Sequence, residues 1–171
     1  MEKIKVTNEG LNTWEYEYLF SFNLNMAPTT HVMACRPDGA MRMTGLIEGG
    51  KVWGDKLNGK VLPYGGDWST ATPDGISHIN VSTILETDDG AQIYLSYTGK
   101  ILYGGKEGFE RAKNFDFPPA MYFSMVANME TNSEKYGWLN DEVCFGIGKA
   151  DFTGESPVVQ YDIYAHRSLA D

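Results

Sequence analysis

Between Trp14 and Leu24 every even position carries a large apolar side chain: Trp14, Tyr16, Tyr18, Phe20, Phe22 and Leu24. Successive side chains of an extended chain point to opposite faces, so this spacing gathers the six on one side and mostly polar groups on the other. Wound as a helix, the same segment would be apolar all round and would lack a solvent face. The two-residue period returns in Ile79, Val81, Thr83, Leu85; in Ala91, Ile93, Leu95, Tyr97; in Met121, Phe123, Met125, Ala127, Met129; and in Val159, Tyr161, Ile163. A chain assembled from such segments is confined to sheet architectures.

Turn chemistry divides these segments. Pro37-Asp38-Gly39, Pro73-Asp74-Gly75, Asp88-Asp89-Gly90 and Thr153-Gly154-Glu155 all lie between them. Asp-Gly supplies the positive φ angles of a tight hairpin, so residues 79–86 and 91–97 are expected to pair directly. Residues 32–35, 40–47, 59–62, 66–70 and 143–148 are weaker strands, each short or interrupted by glycine. Roughly eight to ten strands at near-regular spacing predict an antiparallel barrel or sandwich. One segment breaks the pattern: residues 106–113 contain helix formers and a Glu107 to Arg111 pairing, and Pro118-Pro119 stops any continuation. A short helix there would cap one end.

A length of 171 residues fits a single domain spanning residues 1–171. Apolar residues at 42% and charged residues at 22% match ordinary globular usage and argue against disorder. The net charge is −9 and the 14 basic residues form no cluster, which speaks against a nucleic-acid partner. No signal-peptide pattern opens the chain and no apolar run reaches bilayer length, so the expectation is a cytoplasmic protein with no membrane partner. Cys35 and Cys144 lack a Cys-x-x-Cys spacing and read as two reduced thiols.

Several chemistries lack their signatures. His31, His78 and His166 are isolated, which gives no spacing for a metal site. Gly146-Ile147-Gly148-Lys149 has no helix predicted after it to meet a phosphate, and reads as a bent strand. There is no Gly-x-Ser-x-Gly elbow for a nucleophilic serine. No cofactor is therefore expected. Asn80-Val81-Ser82 matches the glycosylation acceptor pattern but falls mid-strand in a chain without an export signal, and should be unmodified.

Aromatic residues make up 13%, with ten Tyr and four Trp, a composition that suits either strands or the wall of a ligand cavity. The hairpin carries two polar rows, His78, Asn80, Ser82, Ile84 and Glu86 on one strand and Gln92, Tyr94 and Ser96 on the other. Such rows either face solvent or, in a hollow barrel, line its interior. Before them stands Gly65-Gly66-Asp67-Trp68, an acid beside an indole where two glycines let the backbone bend. A carboxyl packed against an indole in a pocket keeps its proton toward neutral pH.

These residues resemble a known family, the calycin-like domain-of-unknown-function family 3237. The motifs are Val61-Leu62-Pro63-Tyr64-Gly65-Gly66-Asp67-Trp68, Thr87-Asp88-Asp89-Gly90-Ala91-Gln92-Ile93-Tyr94, Tyr122-Phe123, Met129-Glu130-Thr131 and Tyr136-Gly137-Trp138-Leu139-Asn140, in the family's order. The resemblance implies an all-β, lipocalin-like antiparallel β-barrel with one short helix and a central pocket, often in small homo-oligomers. It also implies pocket positions at Asp67, Trp68, Tyr94, Tyr122, Trp138 and Asn140. The chain departs from the family at Asn80 and Ser82, where many members carry Asp and Arg, and at Ser96 and Ser124, near which they carry basic residues. If those four line the pocket, the loss of long cations widens it and suits a bulky, largely apolar molecule of polyketide or terpenoid kind.

Two functions fit a small-molecule ligand so enclosed. One is a cofactor-independent cyclase, isomerase or lyase in which Asp67 is the general acid or base and Tyr94 or Tyr122 donates to a developing oxyanion. In that enzyme Trp68, Asn80, Ser82, Ser96, Ser124, Glu130, Trp138 and Asn140 contact the substrate. The other is a non-catalytic lipocalin-type carrier or sensor of a hydrophobic metabolite.

Overall fold

A computed structural model describes residues 3–6, 14–32 and 35–168. The strands are β1 (Lys3–Val6), β2 (Trp14–Val32), β3 (Met41–Trp53), β4 (Gly59–Val61), β5 (Gly66–Asp67), β6 (Thr70–Thr72), β7 (Ile76–Thr87), β8 (Gln92–Leu102), β9 (Ala120–Glu130), β10 (Cys144–Asp151) and β11 (Val158–Ser168). Helix α1 covers Gly105–Lys113, and a 3-10 turn covers Gly137–Asp141. β4, β5 and β6 lie end to end between β3 and β7 and act as one interrupted strand. Every pairing is antiparallel, and β2 meets both β11 and β3, so the sheet closes on itself as an eight-stranded barrel. Closure leaves the long strands without a free edge.

The hairpin of β7 and β8 forms as its Asp-Gly turn requires: Glu86 pairs with Gln92 and Gly90 has φ 87°. β3 runs six residues further than the 40–47 segment. β2 continues to Val32, and residues 33–34 of the expected 32–35 strand lie outside the described part. Gly146 and Gly148 sit in β10, a regular strand. The helix forms where expected, but Arg111 pairs with Asp116 at 2.9 Å, beyond the helix end. Cys35 is exposed, Cys144 is buried, and neither is in a disulfide. Among the described residues no helix is long and apolar enough to cross a membrane.

The aromatic row of β2 does not stay on one face. Phe20 pairs with Ile163 and Tyr18 with Tyr164, which leaves Leu19 as an extra residue, a β-bulge. Leu19, Phe20, Phe22 and Leu24 are buried in the core, whereas Tyr16 and Tyr18 are switched to the outer face. There Tyr16 meets Phe145 edge-on at 4.5 Å and Tyr18 meets Tyr164 at 5.8 Å. The switch turns Glu17 inward, where Lys56 pairs with it at 2.6 Å.

Alternation elsewhere holds. Ile79, Val81 and Leu85 of β7, Ile93, Leu95 and Tyr97 of β8, Met125, Ala127 and Met129 of β9, and Ile163 of β11 fill the barrel. The 3-10 turn closes one end with Tyr136 and Leu139. At the other end α1 buries Phe109 and Ala112, and Phe109 packs with Met41, Met43 and Ala71 in a second, smaller cluster. The cavity lies between these two clusters.

Candidate functional site

A cavity of about 120 Å³ occupies the α1 end of the barrel. Its walls are Met26 of β2, Met43 of β3, Ile79 of β7, Ile101 of β8, Met121 and Phe123 of β9, and Val159 and Tyr161 of β11. Tyr103, Phe115, Phe117 and Phe152 close over it, with Phe117 stacked on Phe152 at 5.0 Å. Phe115 remains 49% exposed and marks where the cavity reaches the surface. An engineered apolar cavity of about 150 Å³ holds one benzene. The enclosed space here is close to the size of one ring, and a larger ligand would have to reach beyond it toward the opening at Phe115.

Polar groups are few: Asp67, Ser69, Ser77, Tyr103 and Tyr161. Asp67 is delivered by the bend between β4 and β5, where Gly65 and Gly66 press against neighbouring backbone. A Cβ on Gly65 would stand 2.2 Å from the Ser82 carbonyl oxygen, and one on Gly66 2.8 Å from that of Gly45. Only glycine permits that approach. The Asp67 carboxylate accepts from the Ser69 hydroxyl at 2.5 Å and from the Asn80 backbone N–H at 3.2 Å. Burial raises its pKa above the usual carboxylate value, and these two hydrogen bonds offset part of the rise.

The hydroxyl of Tyr97 donates to that of Tyr161 at 2.6 Å, and both residues are buried. Burial pushes both phenols well above their ordinary pKa, and the Asp67 charge adds to the rise. The bond from Tyr97 works the other way on Tyr161 and offsets part of its rise. Burial likewise raises Tyr103, with Ser77 offsetting it. The Ser77 hydroxyl nonetheless has no hydrogen-bond partner at normal distance.

Of the positions the sequence marks for the site, Asp67 alone lines this cavity among the described residues. The others lie outside it, and the pleat is the reason for most of them. Asn80, Ser82, Tyr94, Ser96, Tyr122, Ser124 and Glu130 each follow or precede a buried neighbour on their strand, so their side chains face out. Tyr122 is 70% exposed, and Tyr94 donates to Ser82 on the outer surface at 3.1 Å. Trp68 also stands outside, its ring over Gly66 and its carbonyl accepting from Arg42 at 2.8 Å. Trp138 packs at the closed end under Lys56, 5.4 Å from the ring centre. Asn140 latches the backbone of Thr131 through its amide at 2.8 and 3.0 Å. Asn80 touches the site only through its N–H. Because Asn80, Ser82, Ser96 and Ser124 face out, loss of cations there does not widen the cavity.

Tyr97, Tyr161, Tyr103, Ser69 and Ser77 are the polar groups that the sequence motifs do not mark. Tyr97 and Tyr161 share the alternation of the buried positions on β8 and β11, and that parity is the signal that finds them.

The family model for the protein of unknown function DUF3237 matches residues 14–166. The chain belongs to the DUF3237 family. A UPF0311 protein of Clostridium acetobutylicum is 32% identical over 140 residues, covering 81% of this chain and 86% of its own. A solved β-barrel-like protein of Acinetobacter baumannii has a TM-score of 0.75 and 30% identity, covering 94% of this chain and 100% of its own. More distantly, the hydroalkoxylation enzyme phnH of Penicillium herquei is 26% identical over 130 residues, 76% of this chain and 71% of its own. The relatives of this chain thus include at least one named as an enzyme.

Proposed function

We propose that this DUF3237 protein is a cofactor-independent enzyme of the cyclase, isomerase or lyase kind that acts on a largely apolar, unsaturated metabolite. The observation carrying the reading is a single carboxyl, kept protonatable by burial, in the wall of an aromatic cavity beside the Tyr97–Tyr161 pair. Protonated Asp67 gives its proton to an unsaturated carbon. The resulting carboxylate takes a proton from a ligand hydroxyl as that oxygen bonds to the neighbouring carbon. One O–H bond and one π bond are consumed, one C–H and one C–O bond form, and Asp67 ends as it began. No electrons are exchanged with a carrier.

Hydroalkoxylation has this net balance, so the name of the Penicillium relative supports the same reaction type for this chain. Tyr161 is assigned the role of donor to the ligand oxygen. Confinement by the aromatic walls does much of the remaining work, since holding a flexible molecule in its reactive conformer lowers a barrier by roughly 7 to 11 kcal/mol at the favourable extreme.

The test is incubation with 2-alkenylphenols, followed by chromatography and mass measurement. Wild type should yield isomers of unchanged mass and shifted retention, and Asp67→Asn should lose about a hundredfold or more in rate. Unchanged turnover in Asp67→Asn removes the assigned acid. Ligands bound but returned intact by wild type favour a carrier instead.

A further inference from the structure

Ser77 is 1% exposed and lines the cavity, and its hydroxyl has no hydrogen-bond partner at normal distance, the Tyr103 hydroxyl lying close enough to interact with it but not to bond it fully. A buried hydroxyl left so costs on the order of 1–3 kcal/mol, and natural interiors rarely retain one without use. Thr83 is the other such hydroxyl among the described residues, and it does not line the cavity. Ser77 differs in facing a space that an occupant can fill.

Position along the barrel separates Ser77 from the acid. Ser77 pairs with Ala71 and Ile101, at the α1 end of β7. Asp67 pairs with Val81 and accepts from the Asn80 N–H, deeper in the barrel. Asn80 lies three residues beyond Ser77, on the order of 10 Å of strand. Ile79 lies on β7 between the two polar points, and the rings of Phe123 and Tyr161 line the same space. No Lys or Arg among the described residues lines the space, so it offers an anion no counter-charge.

We propose that Ser77 recognises a second oxygen on the ligand, so that the cavity takes a flat, neutral aromatic molecule with one hydroxyl at Asp67 and Tyr161 and another oxygen at its opposite edge. The proposal rests on reading the cavity as a ligand site and is independent of any reaction there. The ring nearest Asp67 fills the closed space, and the far ring with its oxygen lies toward Phe115.

Calorimetric titration of the full chain with 2-naphthol and with 2,6-dihydroxynaphthalene tests it. Wild type should bind the diol at least fivefold more tightly than 2-naphthol. Ser77→Ala should abolish that preference by weakening the diol alone, with the 2-naphthol Kd unchanged within twofold. The variant removes an unpartnered hydroxyl, so its melting temperature should match or exceed that of wild type. Equal affinity of wild type for the two probes overturns the proposal whatever the variant does. Survival of the diol preference in Ser77→Ala overturns it as well, and so does failure of both probes to bind wild type. Failure to convert alkenylphenols sinks the proposed reaction alone and leaves these binding results standing.

Discussion

The Tyr97 hydroxyl donates to the Tyr161 hydroxyl at 2.6 Å inside the barrel, which leaves the proton of Tyr161 to turn toward the cavity its ring lines. Both residues are nearly inaccessible, at 2% and 3% exposure, so neither hydroxyl can exchange its partner for bulk water. Tyr97→Phe and Tyr161→Phe should each cost about 1–3 kcal/mol of stability, because each strands the other oxygen. The double variant should lose less than the sum of the two. Denaturant unfolding of all four proteins measures that coupling, and strict additivity would count against the bond.

Tyrosines on the two faces of the wall should behave differently. Tyr161→Phe is expected to weaken 2-naphthol binding several-fold, while Tyr94→Phe and Tyr122→Phe leave its Kd within twofold. Titration of the three variants decides this, and a loss at Tyr122 equal to that at Tyr161 would contradict the assignment of faces.

Asp67 predicts a pH dependence of stability. Burial sets its folded pKa above its unfolded value near 3.8, so the folded chain keeps this proton when the unfolded chain has lost it. The carboxyl's contribution therefore falls as pH rises from 3.8 through the raised value, and stays low above it. Asp67→Asn removes that decline. Its melting temperature relative to wild type should climb across the window and then level off, and a pH-independent difference would refute the shift.

Asp89 has the opposite sign. Lys135 bonds its carboxylate at 2.5 Å, with Thr87 next in effect, and together they hold its pKa at about 2. Stability from this group is present above the unfolded value of 3.8 and is lost as pH falls through about 2. Acid titration of Asp89→Asn, followed by circular dichroism, should show a shallower loss between those limits than wild type.

The bend that delivers Asp67 is sensitive to one methyl group. Gly65→Ala forces a Cβ against the Ser82 carbonyl and should cost about 1–3 kcal/mol and weaken 2-naphthol binding. Gly137→Ala meets nothing within 4 Å and should stay within about 0.5 kcal/mol of wild type. Thermal melts of the two variants provide the comparison.

Much of the fold is written in short-range pattern. The parity of Ile93, Leu95 and Tyr97 and of Val159, Tyr161 and Ile163 marks inward positions, and Asp89-Gly90 marks the hairpin between β7 and β8. The β2 bulge is not so written, since Trp14, Tyr16 and Tyr18 keep the even spacing of Phe20 and Phe22 straight through it. Pairing with β11 reveals the extra residue at Leu19, because only the partner strand sets which side a residue must take.

The candidate site divides in the same way. Sequence alone determined an antiparallel all-β chain with an acid behind two glycines, because alternation, turn chemistry and close backbone approach are local properties of residue types. Which face became the inside was decided by tertiary structure. Closure had to bury the more apolar parity of each strand, so the polar rows of Asn80, Ser82, Tyr94 and Ser96 went to solvent. The pocket was then left where the α1 cluster and the main core fail to meet, a gap between elements far apart in the chain that no local spacing encodes.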